Sequence, residues 1–453
     1  MKNSKRAVVV GAGLVGSLWA ILLAKRGYEV DVYERRPDVR RMGFLGGRSI
    51  NLAMSDRGWR AIQLAGIEDQ IRSVAIPMPG RMMHSEEGDL TFQPYGKEGQ
   101  AIYSVSRGGL NLALLDIADR YENVQLHFDQ ICRRVDVDRN ALLFENAQNG
   151  ERTEVETPLI FGTDGAFSAV RNTLQKLPMF NYSQQYLEHG YKELSIPPTA
   201  NGGFRMEPNA LHIWPRGKFM LIALPNHDGS FTCTLFLPFE GDESFSRLDS
   251  DTAVSRFFTK YFPDAVPLLT NLLDDFRTNP TSSLVTVRCS PWQHGSRILL
   301  LGDAAHAIVP FYGQGMNSGF EDCTLLDQYL DQYDEDWEKV LPLFSRERVH
   351  DANAIADLAL RNFIEMRDRV ADPQFLLRKK IEAHLHEKYP QEFLPLYSMV
   401  TFSHLPYGEA LREGQAQDRL FDRILRIDGV ENKWNGPEVE GVFREWLRER
   451  ALI

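Results

Sequence analysis

Cysteine is scarce in this chain of 453 residues, which contains only Cys132, Cys233, Cys289 and Cys323. No two of them form a CxxC pair, so the sequence indicates neither a zinc site nor a disulfide framework, and the cysteines fit a reducing compartment. The GKS/T phosphate loop and the HExxH zinc motif are also missing from the sequence. His384 and His386 are too isolated to predict a metal site, and we expect none.

Positive charge is in deficit as well. There are 51 Lys and Arg residues against 62 Asp and Glu residues, which gives a net charge of −11. Nucleic acid is therefore not an expected partner, because phosphate binding needs a basic face. Hydrophobic residues make up 43% of the chain and charged residues 25%. This composition is typical of a soluble globular protein, and the length allows about two or three domains.

Long apolar segments are almost absent. The uncharged run 7–24 follows basic residues and has the outline of a signal peptide or a short membrane span. However, it contains glycines at fixed spacing and ends at Lys25 without a small-x-small cleavage site, and segment 442–448 is densely charged. We therefore expect a cytoplasmic protein without membrane attachment.

The N-terminal run has instead the pattern of a dinucleotide-binding unit. Its parts, in chain order, are the strand 7–10, the turn Gly11-x-Gly13-x-x-Gly16, a helix with the apolar stripe Val15, Leu18, Trp19, Leu22 and Leu23, the strand 28–33, and Glu34. In such units the glycines permit a tight turn and a close approach of the backbone to a pyrophosphate, and the acid binds a ribose. Glu34 would repel a 2′-phosphate, although Arg35 and Arg36 follow it. The motif therefore favours NAD or FAD without distinguishing them.

Two later segments place acids at the ends of buried strands, where open α/β sheets bind ligands. Segment 159–171 reads as a strand, an Asp164-Gly165 turn and a helix. Segment 297–306 is a second apolar strand that ends at Asp303, and the glycine-rich segment 310–317 then precedes another helix.

A GxGxxG turn, a DG turn and a GDAAH segment, in this order, make the chain resemble the flavin-dependent aromatic hydroxylases. Within them it is similar in particular to the kynurenine 3-monooxygenase family. The segments that carry this closer similarity, between about residues 7 and 410, are 47–53, 80–82, 93–96, 190–194, 208–215, 309–317 and 397–403.

The resemblance implies FAD as the cofactor. It assigns the adenosine and pyrophosphate to Gly11, Gly13, Val15, Gly16, Glu34, Arg35, Arg36 and Ala53, with Arg107 reaching the same cofactor. It places Asp303 at the ribityl or pyrophosphate part, and it places Gly315, Met316 and Asn317 at a helix N-terminus that faces the isoalloxazine ring.

The resemblance also implies a pocket for L-kynurenine. Arg81 would bind the carboxylate, because a guanidinium can donate two parallel hydrogen bonds. Beside it would lie Tyr95, Asn362 and Tyr397, with Met366 one helical turn beyond Asn362. The apolar wall would consist of Met220, Leu224, Phe236 and Phe311. No role is assigned to Tyr312, and no residue is assigned as a catalytic acid or base.

The implied reaction is the hydroxylation of L-kynurenine to 3-hydroxy-L-kynurenine, a step of tryptophan catabolism, through a flavin C4a-hydroperoxide. NADPH would reduce FAD as a transient co-substrate without a domain of its own, and O₂ would then react with the reduced flavin. The aromatic amine of the substrate activates the ring, so a strong protein base is not required. Two alternatives stay open: a related hydroxylase or reductase acting on another aromatic compound, and a flavin-bound regulatory protein.

We predict an α/β fold with three regions: a Rossmann-like FAD-binding domain (1–75, 100–180 and 285–330), an inserted, mostly β substrate domain (76–99 and 181–284), and a C-terminal helical region (331–453). The clearest individual elements are strands at 219–224 and 231–237 and a helix at 343–370. Animal members of the family continue into an apolar membrane-anchoring tail, whereas this chain ends in a charged segment.

Overall fold

The structure, a computed structural model, describes residues 5–41, 51–369 and 372–451. Its strands are β1 (Arg6–Val10), β2 (Glu29–Tyr33), β3 (Asn51–Met54), β4 (Ile76–Met78), β5 (Gly80–His84), β6 (Leu90–Pro94), β7 (Ile102–Ser106), β8 (Val124–His127), β9 (Gln130–Asp136), β10 (Ala141–Asn146), β11 (Arg152–Glu156), β12 (Leu159–Gly162), β13 (Asn181–Ile196), β14 (Ala210–Pro215), β15 (Met220–Pro225), β16 (Phe231–Pro238), β17 (Thr281–Ser290), β18 (Gln293–His294) and β19 (Ile298–Leu300). Its helices are α1 (Leu14–Lys25), α2 (Asp56–Ala65), α3 (Glu68–Arg72), α4 (Arg107–Ala118), α5 (Ala169–Leu174), α6 (Asp251–Tyr261), α7 (Leu272–Thr278), α8 (Asp303–His306), α9 (Gly315–Gln332), α10 (Trp337–Ile364), α11 (Pro373–Lys388), α12 (Leu396–Thr401), α13 (Tyr407–Ile424), α14 (Val430–Lys433) and α15 (Pro437–Ala451).

A six-stranded sheet with the order β18-β19-β12-β1-β2-β8 forms the centre of the first region. All its pairs are parallel except β18 with β19. The side chains of β1 from Ala7 to Val10 are buried, as the β-branched run predicts for a strand covered on both faces. Because the strands are parallel, the loops that follow β1, β12 and β19 lie at the same edge of the sheet.

Helix α1 is buried on all sides from Gly16 to Ala24, not only along the stripe that the sequence predicts. The reason is that α4 and α9 flank it while the sheet covers its remaining face. An apolar stripe is expected for a helix with one face in water, and α1 has no such face.

The third glycine of the turn permits a backbone crossing. A Cβ at Gly16 would lie 1.9 Å from the carbonyl oxygen of Gly11 and 2.5 Å from Oγ1 of Thr163. Gly11 itself has a φ of +101°, and a Cβ there would lie 2.7 Å from the carbonyl oxygen of Thr163. The turn after β1 and the segment after β12 therefore touch backbone to backbone.

A seven-stranded sheet with the order β17-β13-β16-β15-β14-β5-β6 forms the second region. Alternate residues of β15 enter different cores. Leu221 and Ala223 pack with the phenylalanines of α6, whereas Met220 and Leu224 face the opposite side and pack with Phe311. The predicted strands at 219–224 and 231–237 correspond to β15, which is shifted by one residue, and to β16, which extends one residue further.

Helices α10 to α15 form the C-terminal region. Helix α10 begins at Trp337, earlier than predicted, and at Ile364 it gives way to a π-helical turn, Glu365–Arg369. The predicted end of this helix, Val370, lies outside the described residues. Helices α11, α13 and α15 share a separate apolar core. None of the described helices has the length and apolar character to cross a membrane.

The predicted fold class is confirmed: a Rossmann-like α/β domain, a mostly β second region and a helical C-terminal region. The predicted boundaries between the three regions stay a prediction. Two three-stranded sheets, β11-β10-β9 and β3-β7-β4, complete the described strands.

We expect Gly16→Ala to lower the free energy of unfolding by about 1–3 kcal/mol, because the added methyl group has no room beside the Gly11 carbonyl oxygen. Thermal or urea unfolding measures this. The matched control is Gly441→Ala within α15, where a Cβ meets nothing within 4 Å. This control should leave stability unchanged or raise it by up to about 1 kcal/mol. Equal behaviour of the two variants would contradict the assigned backbone contact.

Candidate active site

One cleft, with a cavity volume of about 490 Å³, runs from the glycine turn after β1 to the seven-stranded sheet. Most of the site residues predicted from the sequence line it: Gly11, Gly13, Val15, Glu34, Arg35, Arg36, Ala53, Arg81, Tyr95, Arg107, Met220, Leu224, Phe236, Asp303, Phe311, Gly315, Met316, Met366 and Tyr397. The exceptions are Gly16, Asn317 and Asn362, which pack behind its walls. The structure thus brings residues from all three regions of the chain to one cavity.

Glu34 stands at the glycine-turn end of the cleft. Its carboxylate accepts hydrogen bonds from the backbone N–H of Ala12 at 2.9 Å and of Arg36 at 3.0 Å. A backbone hydrogen bond also connects the turn to β2, since the N–H of Gly11 donates to the carbonyl oxygen of Tyr33 at 2.7 Å. The acid at the end of β2 is therefore fixed against the turn after β1, which is the arrangement that binds an adenosine ribose.

Asp164, in the DG turn after β12, also lines the cleft. Its Oδ2 accepts from the N–H of Ala169 at 2.6 Å, whereas its Oδ1 is buried without a hydrogen-bond partner among the described residues. Burial raises the pKa of this carboxyl, although Ser168 and the backbone amides oppose the shift. Buried Arg171 fastens this turn to the GDAAH segment by donating to the carbonyl oxygens of Ala166 at 2.6 Å and Ala304 at 2.8 Å.

The N-terminus of α9 opens into the middle of the cleft at Gly315 and Met316. Asn317, next along the helix, turns away from the cavity. Its amide nitrogen donates to the carbonyl oxygens of Ala53 at 2.8 Å and Gly313 at 2.7 Å, and its oxygen accepts from the N–H of Ser55 at 2.9 Å. Asn317 therefore positions the backbone around the cavity and does not line it.

Helices α1 and α9 both point their N-termini into the cleft. The first backbone N–H groups of a helix have no partner within the helix, and the helix dipole places positive potential there. Anionic groups are consequently favoured at two separate points of the same cavity.

Arg81, on β5, is the cation at the other end of the cleft. It is 9% exposed, and its Nε is buried without a hydrogen-bond partner in the described parts of the chain. Its guanidinium carbon lies 5.2 Å from the ring centre of Tyr95 and 5.3 Å from that of Tyr397. Those two rings stack on each other at 4.9 Å with an angle of 9° between their planes.

Arg81 keeps its charge in this surrounding. Burial alone lowers the pKa of the group, but Tyr95, Tyr397 and Glu365 outweigh it and raise the pKa above the ordinary value for arginine. A buried cation with an N–H unpaired among the described residues favours an anion, because a charge-assisted hydrogen bond offsets the cost of removing the charge from water.

The apolar wall between Arg81 and α9 comes from β15, β16 and the turn before α9. Phe236 contacts Phe311 with ring centres 4.9 Å apart. Asn362 lies behind them, where it donates to the carbonyl oxygen of Phe311 at 2.6 Å and lies 3.4 Å from the sulfur of Met366. Asn362 therefore supports the wall from the helix side.

Sequence reasoning missed several lining residues. Ile222 and Leu211 face the cleft from the sheet. Ile222 could have been found, since it alternates with the predicted Met220 and Leu224 on one face of β15. Tyr312 also lines the cavity, although no pattern in the sequence assigns it a role.

A buried ion network lies beneath α9. Asp322 accepts from His306 at 2.6 Å, from Arg348 at 2.7 Å and from the N–H of Gly302 at 2.9 Å. Glu321 pairs with Arg348 at 2.8 Å and also with Arg57. His306 stacks on Trp292, with ring centres 4.9 Å apart. This network holds the GDAAH segment against α9.

Residues 5–358 match the family described as "FAD binding domain". The chain is 49% identical over 449 residues to a kynurenine 3-monooxygenase of Flavobacterium johnsoniae, covering 99% of this chain and 100% of that one. It is 48% identical over 424 residues to a kynurenine 3-monooxygenase of Sus scrofa, covering 93% of this chain and 89% of that one. Among solved structures, 2-methyl-3-hydroxypyridine-5-carboxylic acid oxygenase superposes with a TM-score of 0.67 at 21% identity, covering 84% of this chain and 97% of that one, and so shares the fold.

We expect Arg348→Met to lower the free energy of unfolding by about 3–5 kcal/mol, because it leaves Glu321 and Asp322 buried without their shared cation. Urea unfolding at neutral pH measures this. Arg346→Met is the matched control, since the Arg346 side chain is 75% exposed, and it should change stability by less than about 0.5 kcal/mol.

The ion pair between Asp322 and Arg348 also predicts how the stability difference depends on pH. Burial opposes the charged form of Asp322, but His306 and Arg348 more than offset it and hold its pKa below the ordinary value of 3.8. A lowered pKa in the folded state stabilises the protein above that ordinary value and loses its effect as the pH falls below it. The stability gap between wild type and Arg348→Met should therefore shrink in acid, and a gap that widens there would contradict the assigned ion pair.

Proposed function

The chain belongs to the FAD-dependent kynurenine 3-monooxygenase family, and from this membership we propose that the cleft described above binds FAD at one end and L-kynurenine at the other. The protein is an FAD monooxygenase that uses NADPH and O₂ to convert L-kynurenine to 3-hydroxy-L-kynurenine. The observation that carries the assignment of the cleft is the buried cation of Arg81, whose Nε has no partner among the described residues, in the same cavity as the glycine turn.

The residues of the cleft fit FAD. Gly13 lines the cleft, and a Cβ there would meet no protein atom within 4 Å, so this glycine leaves its peptide groups uncovered on the side open to a ligand. The buried Oδ1 of Asp164, which has no donor in the part of the chain that the structure describes, needs one from a ligand or from water. We assign Gly11, Gly13, Glu34 and Arg107 to the adenosine and pyrophosphate half of FAD.

Asp303 and Met316 would hold the flavin half. Bound FAD would supply the redox chemistry, namely hydride acceptance from NADPH and activation of O₂ for transfer to the substrate ring. The N-terminus of α9 supplies free N–H groups at Gly315 and Met316, and these stabilise negative charge on a neighbouring ring without a mobile cation.

Arg81 would bind the carboxylate of kynurenine through two parallel hydrogen bonds. Tyr95 and Tyr397 hold the guanidinium in place by stacking beside it. The apolar side chains of Met220, Leu224 and Phe236 then enclose the aromatic ring of the substrate and exclude water from it.

The substrate supplies part of its own activation. Its aromatic amine donates electron density to the ring carbon beside it, so the protein needs no strong base at that position. The wall residues that we assign to the ring carry no ionisable group, which agrees with a role in orientation and water exclusion. The related-hydroxylase and regulatory-protein alternatives are not favoured by the family assignment.

We also propose a cytoplasmic location. The four cysteines are free thiols, and burial raises the pKa of Cys132, which lines the cleft, to about 12. A protonated, unpaired thiol beside a redox site fits a reducing compartment.

The decisive experiment is product analysis after incubation of the purified yellow protein with L-kynurenine, NADPH and O₂. We expect 3-hydroxy-L-kynurenine, and we expect NADPH oxidation to be faster with kynurenine than without it. Omission of O₂ is the matched control and should abolish the product. A yellow protein that forms no 3-hydroxykynurenine and whose NADPH oxidation does not respond to kynurenine would overturn the proposal.

We expect Arg81→Ala to weaken kynurenine binding by roughly tenfold to a hundredfold, because a hydrogen bond to a charged group is worth about 1.5–3 kcal/mol. More of the NADPH consumed should then yield H₂O₂. A kynurenine titration of the flavin absorbance measures binding. The kynurenine affinity of Arg81→Lys should lie between that of the wild type and that of Arg81→Ala. Arg133→Ala, at an exposed ion pair with Glu145, serves as the control. Unchanged kynurenine affinity in Arg81→Ala would contradict the assigned role.

A further inference from the structure

Tyr312 joins the two halves of the cleft. It ends a short 3₁₀ turn, Pro310–Tyr312, and is followed by Gly313 with a φ of +66° and then by the N-terminus of α9. Its side chain is buried, at 9% exposure, and lines the cavity. The backbone of Tyr312 thus belongs to the segment assigned to the flavin.

Its ring, however, belongs to the pocket around Arg81. The ring of Tyr312 lies 5.6 Å from that of Tyr397, with an angle of 16° between the planes. Tyr397 stacks in turn on Tyr95. Three nearly parallel rings, Tyr95, Tyr397 and Tyr312, therefore form one column, which we call the tyrosine column. Arg81 lies over its first two members.

The three rings come from three separate parts of the fold. Tyr95 follows β6 of the seven-stranded sheet, Tyr397 lies in α12 of the C-terminal region, and Tyr312 lies just before α9. Packing of planar rings fixes both their distance and their tilt. A shift of α12 relative to α9 would therefore separate Tyr397 from Tyr312.

The turn is held on its other side too. Phe311 stacks on Phe363 at 4.1 Å, and its carbonyl oxygen accepts from Asn362. Adjacent residues of one turn thus contact two different helices of the C-terminal region. The position of the turn that leads into α9 is therefore determined by residues on the Arg81 side of the cleft.

The phenol of Tyr312 does not act as a base. Burial, together with the nearby carboxylate of Glu365, raises its pKa above the ordinary value for tyrosine, and Arg81 opposes this only in part. The group therefore stays protonated at ordinary pH and cannot take up a proton as a phenolate.

We propose that Tyr312 is a positioning residue: its ring keeps the Arg81 pocket in register with the start of α9, so that a bound amino acid stays aligned with the flavin. This inference rests on the proposed function. In this proposal the aromatic ring of Tyr312 carries the positioning role, and its hydroxyl group is not required.

The test compares Tyr312→Phe, which keeps the ring, with Tyr312→Leu, which removes it. For each FAD-loaded variant, the kynurenine affinity and the ratio of 3-hydroxykynurenine formed to NADPH consumed are measured at saturating kynurenine. We expect Tyr312→Phe to match the wild type. We expect Tyr312→Leu to lower the product ratio by at least about twofold and to weaken kynurenine binding by about two- to tenfold.

Tyr312→Met provides a second ring-free variant in case leucine packs poorly, because methionine adapts to irregular spaces. Tyr186→Leu is the matched control, since Tyr186 is 54% exposed and lies outside the cleft. It should leave the product ratio unchanged.

A double-mutant cycle with Tyr397→Leu shows whether Tyr312 acts through the column. We expect Tyr312→Leu to have little further effect on the product ratio once Tyr397 is gone. Additive effects would overturn the proposal, as would an unchanged ratio in the folded ring-free variants or a reduced ratio in Tyr312→Phe. If the wild type itself forms no 3-hydroxykynurenine, it is the proposed function that fails.

Discussion

The buried carboxylates of α9 are the constraint on which the cleft depends. Asp322 holds the backbone of Gly302, directly before the cleft residue Asp303. Glu321 connects Arg348 with Arg57, and Arg57 donates onward to the carbonyl oxygen of Val400 at 3.0 Å. The helix α12 that carries Tyr397 is thus tied to α9, the helix whose N-terminus opens into the cleft. One set of buried charges sets the distance between the two ends of the cavity.

Buried charges are an expensive way to build a core, and apolar residues of similar volume often give equal or greater stability. The charged groups add contacts that depend on direction, because hydrogen bonds form only at certain angles. The guanidinium of Arg57 reaches the carbonyl oxygen of Val400 and also lies 4.0 Å from the ring centre of Tyr407, which in turn donates to Gln314 at the start of α9. Each of these contacts has a required angle, unlike an apolar contact. A network of this kind specifies one arrangement of two helices.

The sequence predicted local features best. The strand, glycine turn, helix and Glu34 could be found because they are adjacent and each follows a local rule. Arg81 and Tyr397, far apart in the chain, were connected only through the family resemblance, since no local pattern relates them. The ion network could not be predicted from the sequence, because its members lie on α2, α8, α9 and α10 and meet only in the folded chain. The all-round burial of α1 escaped prediction for the same reason, since its flanking helices come from distant segments.

The charge of the cleft is opposite to that of the whole protein, and this follows from where its arginines are held. Among the described residues, the charged groups lining the cavity are four arginines and three carboxylates: Arg35, Arg36, Arg81, Arg107, Glu34, Asp164 and Asp303. Two helix N-termini add positive potential to this small excess, in a chain of net charge −11. FAD, NADPH and the carboxylate of an amino acid are all anionic, so the surface as a whole repels them while the cleft attracts them. The gradient favours entry at the cleft over adsorption elsewhere. The burial of Arg81 adds to this selectivity. A solvated arginine would be screened by water and salt and would discriminate far less between an anion and water.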